Sequence, residues 1–343
     1  MRRLLNTLFI TQPEVYLSLS GENIVLSKDN EQLGRLPLHN LEAVSSFGFR
    51  GASPALMSFC AKHGIAMSFY SRYGRFNFRV VGESQGNVHL RKKQYFVSED
   101  QMASATIARN CITGKVFNNK WMLERMTRDY PMRIDTEDFK SASSQLSASL
   151  QLIRKCDDLE VLRGLEGQAA ITYNRVFDHM ILNQKDAFFF KNRSRRPPLD
   201  NVNALLSFSY SLLANDTASA LEGVGLDPYV GFLHKDRPGR VSLALDLMEE
   251  LRGIYADRFV LSMINKKIMT KGDFIAKENG AVLFSDKGRK TFLKAWQNRK
   301  QEKITHPFLK EKIEWGLVPH AQALLLARYL RGDLDEYPPF LWK

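Results

Sequence analysis

The feature that most constrains this chain is a change of hydrophobic period near residue 98. Before it, short apolar runs alternate with turn residues; after it, apolar residues recur every three or four positions. Thr7-Leu8-Phe9-Ile10, Val15-Tyr16-Leu17-Ser18-Leu19 and Asn23-Ile24-Val25-Leu26 carry high strand propensity. Ser20-Gly21-Glu22 and Lys28-Asp29-Asn30 supply the turns between them. Residues 32–36 and 41–46 continue the pattern, with Pro37 and Gly48 as breaks. Residues 53–61 predict one short helix with Pro54 at its first position, followed by a strand over 65–70. A basic, aromatic-flecked stretch, residues 72–79 and then Arg91-Lys92-Lys93, leads out of this region.

The helical texture covers 99–126, 144–162, 164–182, 204–213, 242–264 and 320–330, with a short ambiguous run at 281–284. Arg193-Ser194-Arg195-Arg196-Pro197-Pro198 reads as a basic loop, because paired prolines do not fit a helix interior. The expected fold is α+β in two domains: a small β-sheet or sandwich domain over 1–95, then a larger all-helical domain over 96–343. A length of 343 residues is enough for two cores.

Charge is distributed unevenly. Residues 1–95 hold 12 Lys and Arg against 6 Asp and Glu, and residues 258–310 hold 13 against 4, within a chain of net charge +12. Two basic regions in an otherwise balanced chain fit a polyanion, with nucleic acid expected over a membrane surface because no sustained interfacial apolar face accompanies them. The plainer alternative makes Lys266-Lys267, Lys271, Lys287, Arg289-Lys290 and Lys294 solvated helix faces. Three separated cysteines, Cys60, Cys111 and Cys156, argue against a disulfide framework and against a cysteine zinc site. No run approaches the ~18 apolar residues of a membrane span. The start, Met1-Arg2-Arg3-Leu4-Leu5, resembles a signal peptide, but Asn6, Gln12 and Pro13 interrupt it. The expectation is a soluble protein of the cytoplasm.

The phosphate-binding and dinucleotide glycine motifs, H-E-x-x-H and G-x-S-x-G are all absent, so no nucleotide cofactor and no α/β-hydrolase chemistry is expected. Three small features could together hold a metal. Glu166 lies among Gly164, Gly167 and Ala170, which would let a backbone or a ligand come close, and Tyr173 shares its helix face. His234 ends Gly231-Phe232-Leu233-His234, in a loop. Asp246 and Glu249 sit three residues apart on one helix face. Singly, each has an ordinary structural explanation: a first-turn acid, a packed histidine, a polar stripe. Jointly, carboxylates and an imidazole suit Mg²⁺ or Mn²⁺ acting on a phosphoryl group.

The combination resembles the CRISPR-associated endonuclease/integrase of the spacer-acquisition module. The blocks that carry the resemblance are Gly164-Leu165-Glu166-Gly167, Arg196-Pro197-Pro198-Leu199-Asp200-Asn201-Val202-Asn203-Ala204-Leu205-Leu206-Ser207-Phe208-Ser209-Tyr210, Gly225-Leu226-Asp227-Pro228-Tyr229-Val230-Gly231-Phe232-Leu233-His234 and residues 243–249. Arg79-Val80-Val81-Gly82 and Gly86-Asn87-Val88-His89-Leu90-Arg91 resemble the type I-C branch. The resemblance implies a homodimer built largely through the β domain, and one divalent-metal site whose ligands match Glu166, His234 and Glu249. The family's third ligand is often Asp, so Glu249 is longer by one methylene. Asp246 matches an accessory acid and stands as an alternative ligand, and Tyr210 matches a tyrosine near the site. Where relatives show an aromatic residue and a proline, this chain has Leu251-Arg252-Gly253.

The implied activity is insertion of short duplex DNA, the spacer precursor, at a CRISPR repeat, by attack of a 3′-hydroxyl on a phosphodiester. A small second subunit of the same module would bridge two dimers. Arg196, Lys266, Lys267 and Lys271 are the candidate DNA contacts. The competing expectation is a non-catalytic DNA-binding scaffold whose acids form only a polar stripe.

Overall fold

A computed structural model of the chain describes residues 6–71, 75–83 and 88–343. The basic start at Arg2-Arg3, Arg72 of the first basic stretch, and Gly86-Asn87 of the second branch-specific block lie outside the described residues. Seven strands open the chain: β1 (Thr7–Ile10), β2 (Tyr16–Ser20), β3 (Asn23–Lys28), β4 (Glu31–Pro37), β5 (Ala43–Ser46), β6 (Ala66–Tyr70) and β7 (Phe76–Val80). One sheet has the order β1-β5-β6-β7, parallel in its first two pairings and antiparallel in the last; β2-β3-β4 form an antiparallel meander. The parallel β5–β6 pairing needs a crossover, and helix α1 (Pro54–Lys62) provides it. Ser53 caps α1 by accepting from the Leu56 amide at 3.2 Å, with Pro54 at the first turn. Inward residues of both sheets and of α1, among them Leu17, Ile24, Val44, Leu56 and Met67, close a small core.

The sequence pattern made residues 76–79 part of a basic exit from the domain. They belong to an edge strand, since Phe76 and Phe78 alternate with polar neighbours and the Phe78 ring stacks on Phe69 at 4.5 Å.

Ten helices are present among the described residues. After α1 come α2 (Val88–Glu99), α3 (Gln101–Asp129), α4 (Thr136–Ile153), α5 (Leu159–Phe177), α6 (Asn201–Gly223), α7 (Ser242–Leu251), α8 (Arg258–Asn265), α9 (Asp286–Gln301) and α10 (Val318–Arg331). Helix α2 runs through residue 95, so the chain passes from sheet to helices before that point. Caps set the boundaries that apolar spacing misplaced. Asp135 accepts from Glu137 and Asp138 to start α4 well before residue 144, and Asp158 accepts from Glu160 and Val161 to start α5. The expected single helix over 242–264 is divided by a π-helical segment, Arg252–Asp257, between α7 and α8.

Two small ribbons interrupt the helices: β8 (Phe274–Ala276) with β9 (Val282–Phe284), and β10 (Lys303–Thr305) with β11 (Lys312–Glu314). The ambiguous run at 281–284 is thus strand β9. Helix α9 was absent from the expected set because its basic residues dilute the apolar signal, yet Phe292, Leu293 and Trp296 are buried. Arg289, grouped with the solvated basic residues, is 1% exposed and donates to the Thr11 carbonyl at 3.0 Å. It ties α9 to the first sheet. Phe47 and Tyr70 complete that junction, stacked at 4.7 Å, with Phe47 edge-on to Phe208 of α6 at 6.0 Å. Among the described residues no helix is long and apolar enough to cross a membrane.

Candidate metal centre

Helix α3 packs against both α5 and α7, and this places three charged side chains together. Gly114 permits the close approach: a Cβ there would lie 2.8 Å from Cγ of Glu250 on α7. The adjacent Lys115 directs its ammonium between two helices, pairing with Glu166 of α5 and with Glu249 Oε2 of α7, the latter at 2.7 Å. The Lys115 and Glu249 side chains are 8% and 5% exposed, and Glu166 is 27% exposed. Arg252 donates to the other oxygen, Glu249 Oε1, at 2.6 Å. Glu249 Oε2 is buried, and the Lys115 ammonium is the group that meets it. Burial alone would push the Glu249 carboxyl up; Arg252, Lys115 and His234 outweigh it and hold the group well below the usual carboxylate range.

His234 is fixed from the other side. Asp246, 1% exposed, accepts from the backbone amides of Phe232, Leu233 and His234 at 2.6, 2.9 and 3.0 Å. Its Oδ1 also meets His234 Nδ1 at 2.6 Å. Gly231 makes this turn possible, because a Cβ there would lie 2.9 Å from Asp246 Oδ2 and 2.8 Å from Ser242 Cβ. With Nδ1–H given to the carboxylate, the free lone pair of the ring is on Nε2, the arrangement of a metal-ligating histidine.

Among the described residues, no three His, Cys, Asp or Glu side chains are gathered closely enough to hold a metal ion. Glu166 and Glu249 do converge, but on Lys115. The donor set nevertheless suits a divalent ion: two carboxylates, one with a buried oxygen lacking a directed partner, beside an oriented imidazole.

A family model described as CRISPR associated protein Cas1 matches residues 8–298. The chain belongs to the Cas1 family. The CRISPR-associated endonuclease Cas1 1 of Chlorobaculum tepidum is 48% identical over 343 residues, covering all of both chains. A casposase solved bound to an integration product shares the fold at TM-score 0.84 and 24% identity, over 98% of this chain and 93% of that one. A chain of a Cas6-RT-Cas1–Cas2 complex matches at TM-score 0.81 and 22% identity, over 98% of this chain and 36% of its own length.

The other expected residues of this Cas1 chain fall into two groups. Tyr210 lies beside the centre: its hydroxyl donates to Asp257 Oδ1 at 2.5 Å, and the Arg252 guanidinium covers its ring at 4.5 Å. Tyr173 does not serve Glu166, since its hydroxyl reaches the other Asp257 oxygen at 3.3 Å. Burial pushes the Asp257 carboxyl up to about 6 against the opposing pull of Tyr210 and Arg252. Gly164 and Gly167 face open space rather than another backbone, so the closeness expected there is not present and the room beside Glu166 is. The Asp246–Glu249 stripe is buried rather than solvated.

Arg196, Lys266, Lys267 and Lys271 are exposed, and no contact with Glu166, His234 or Glu249 is seen for them among the described residues. Arg196 lines a cavity of about 2440 Å³ between β6, β7 and α6, whose walls do not include Glu166, His234 or Glu249. Sequence reasoning missed Lys115, Arg252 and Asp257. A lysine following a glycine inside an apolar helix, and an arginine three residues after Glu249, were the available signals.

Proposed function

We propose that this Cas1 chain is a divalent-metal-dependent DNA endonuclease and integrase, with Glu166, His234 and Glu249 holding Mg²⁺ or Mn²⁺. The observation that carries this reading is the convergence of Glu166 and Glu249 on one cation, Lys115, beside an imidazole oriented by Asp246. An ion held by Glu166, His234 and Glu249 would supply Lewis-acid chemistry to an attacking hydroxyl and to a phosphoryl group. The chain's own residues prepare the site for it. Asp246 holds the proton on His234 Nδ1 and is a positioning residue, its oxygens already committed to four donors. Arg252 anchors one Glu249 oxygen and leaves the other to Lys115. Asp257 fixes Tyr210 against Arg252, so the wall of the site is built on buried hydrogen bonds.

With a DNA 3′-hydroxyl as nucleophile, one phosphodiester replaces another and no nucleotide is consumed; with water, the strand is cut. The casposase whose fold this chain shares was solved with an integration product, which supports integration as the working reaction; short duplex DNA joined at a CRISPR repeat is the form of it proposed here. The complex containing Cas1 and Cas2 supports Cas2 as the small second subunit. A cytoplasmic homodimer formed through the domain of residues 1–95, with catalysis over 96–343, completes the proposal. The blocks at residues 79–82 and 86–91 favour the type I-C branch.

The test is joining and cleavage of labelled DNA with Mg²⁺, Mn²⁺ or chelator, using the parent protein and Glu166→Gln and His234→Ala variants of unchanged circular dichroism. Loss of product in the variants and with chelator is expected. Product formation by either folded variant overturns the ligand assignment. DNA binding without any divalent-dependent product favours the non-catalytic scaffold.

A further inference from the structure

We infer that Lys115 is a displaceable internal counter-ion of the carboxylate pair, occupying the divalent-ion position until the ion enters. This inference rests on the proposed metal site. Three observations carry it. The Lys115 ammonium touches carboxylates from two different helices and is itself nearly buried, at 8% side-chain exposure. Its contact on Glu249 is the one oxygen that Arg252 leaves without a directed partner. Both acids are engaged by this one ammonium, and among the described residues no three His, Cys, Asp or Glu side chains gather closely enough to hold an ion.

The electrostatics explain why such a group is needed. Two carboxylates facing each other in a low-dielectric site repel strongly, and an uncompensated buried charge is costly. Lys115 and Arg252 balance the formal charges of Glu166 and Glu249, and both carboxylates meet at the one ammonium. A divalent ion entering that point contributes two positive charges beside an ammonium, and the like-charge repulsion drives Lys115 out. Its four-carbon stem gives it the freedom to leave, whereas Arg252 remains paired with Oε1. The exchange has a consequence for substrate. Before it the site is neutral towards a phosphodiester; after it the site is attractive. Metal loading and phosphate binding are thereby coupled, each strengthening the other.

The experiment titrates the full-length, DNA-free protein with Mn²⁺, reading free ion by electron paramagnetic resonance, in the parent and in Lys115→Met, Lys115→Arg and Glu249→Gln variants. Folding of each is checked by circular dichroism. Lys115→Met removes the competitor and keeps the stem's bulk, so Mn²⁺ binding tightens by about tenfold or more, the size of an ordinary site-to-site coupling. Lys115→Arg, which retains the charge, binds no more tightly than the parent. Parent and Lys115→Met proteins of equal affinity, with Glu249→Gln weakened, overturn the counter-ion role and leave the metal site standing. Equal affinities in the parent and Glu249→Gln proteins overturn the metal site itself. Should Lys115→Met not fold, a parent-strength Lys115→Gln protein would refute the inference in the same way.

Discussion

Replacing Asp246 separates the structural from the chemical role of a single carboxylate. The side chain is 1% exposed and accepts from three backbone amides and one imidazole nitrogen. Asp246→Ala leaves three buried N–H groups without an acceptor, each costing about 1–3 kcal/mol. Partial access of water to the new space lowers the sum, so a loss of about 3–6 kcal/mol is expected from urea unfolding. Asp246→Asn is the finer perturbation. Its oxygen can keep the Phe232 and Leu233 amides, but its amide nitrogen then faces the His234 amide, and that one missing acceptor costs about 1–3 kcal/mol. The same nitrogen donates towards His234 Nδ1, which must become an acceptor, and the ring proton moves to Nε2. A protonated Nε2 is no ligand. Mn²⁺ affinity should therefore fall about 10- to 100-fold in a protein that still folds, as happens when other orienting partners are removed. Nitrogen chemical shifts of the His234 ring would report the change of tautomer directly. An Asp246→Asn protein with parental Mn²⁺ affinity and an unchanged ring tautomer would refute the reasoning.

Four further outcomes are expected. His306 is wholly buried; its Nδ1 accepts from the amides of Phe308 and Leu309, so Nε2–H donates to Gln322 at 3.1 Å. Burial pushes its pKa below the ordinary 6.5, so the folded state resists protonation. The associated stability is present above pH about 6.5 and lost as pH falls; the urea midpoint should drop from pH 7.5 to 5.5 more in the parent than in His306→Gln, and equal drops would contradict this. Gly114→Ala places a Cβ 2.8 Å from Glu250 Cγ and should cost about 1–3 kcal/mol by forcing α3 and α7 apart, read as a lowered melting temperature. Phe47→Ala removes the ring between Tyr70 and Phe208 and should cost about 3–5 kcal/mol; a near-neutral result would mean the first sheet does not depend on this junction. Substituting Lys266, Lys267 and Lys271 together by Ala should weaken DNA binding and flatten its salt dependence by about 0.9 in log–log slope for each phosphate that is no longer neutralised.

What could be read from the sequence, and what could not, divides along the range of the interactions. The β-to-helix transition was legible because strand alternation and helical spacing are local properties; Gly21 and Asp29-Asn30 mark turns, and Pro54 a helix start, by their own backbone preferences. Helix α9 and strand β7 escaped because their burial comes from partners far along the chain, Arg289 with Thr11 and Phe78 with Phe69. The site followed the same rule. Glu166, His234, Asp246 and Glu249 could be named as candidates from residue type and the family resemblance, but the contacts that hold them could not. These depend on Gly231 admitting Asp246 to three backbone amides and on Gly114 letting α7 close onto α3. One general constraint does bridge the gap. If Glu166 converges on a nearly buried Glu249, charge balance favours cations from the chain itself. An ammonium in the apolar face of α3 and a guanidinium three residues beyond Glu249 are the groups in this sequence placed to supply them. Their positions, more than those of the acids alone, are what the proposed exchange of Lys115 for a divalent ion between α3, α5 and α7 rests on.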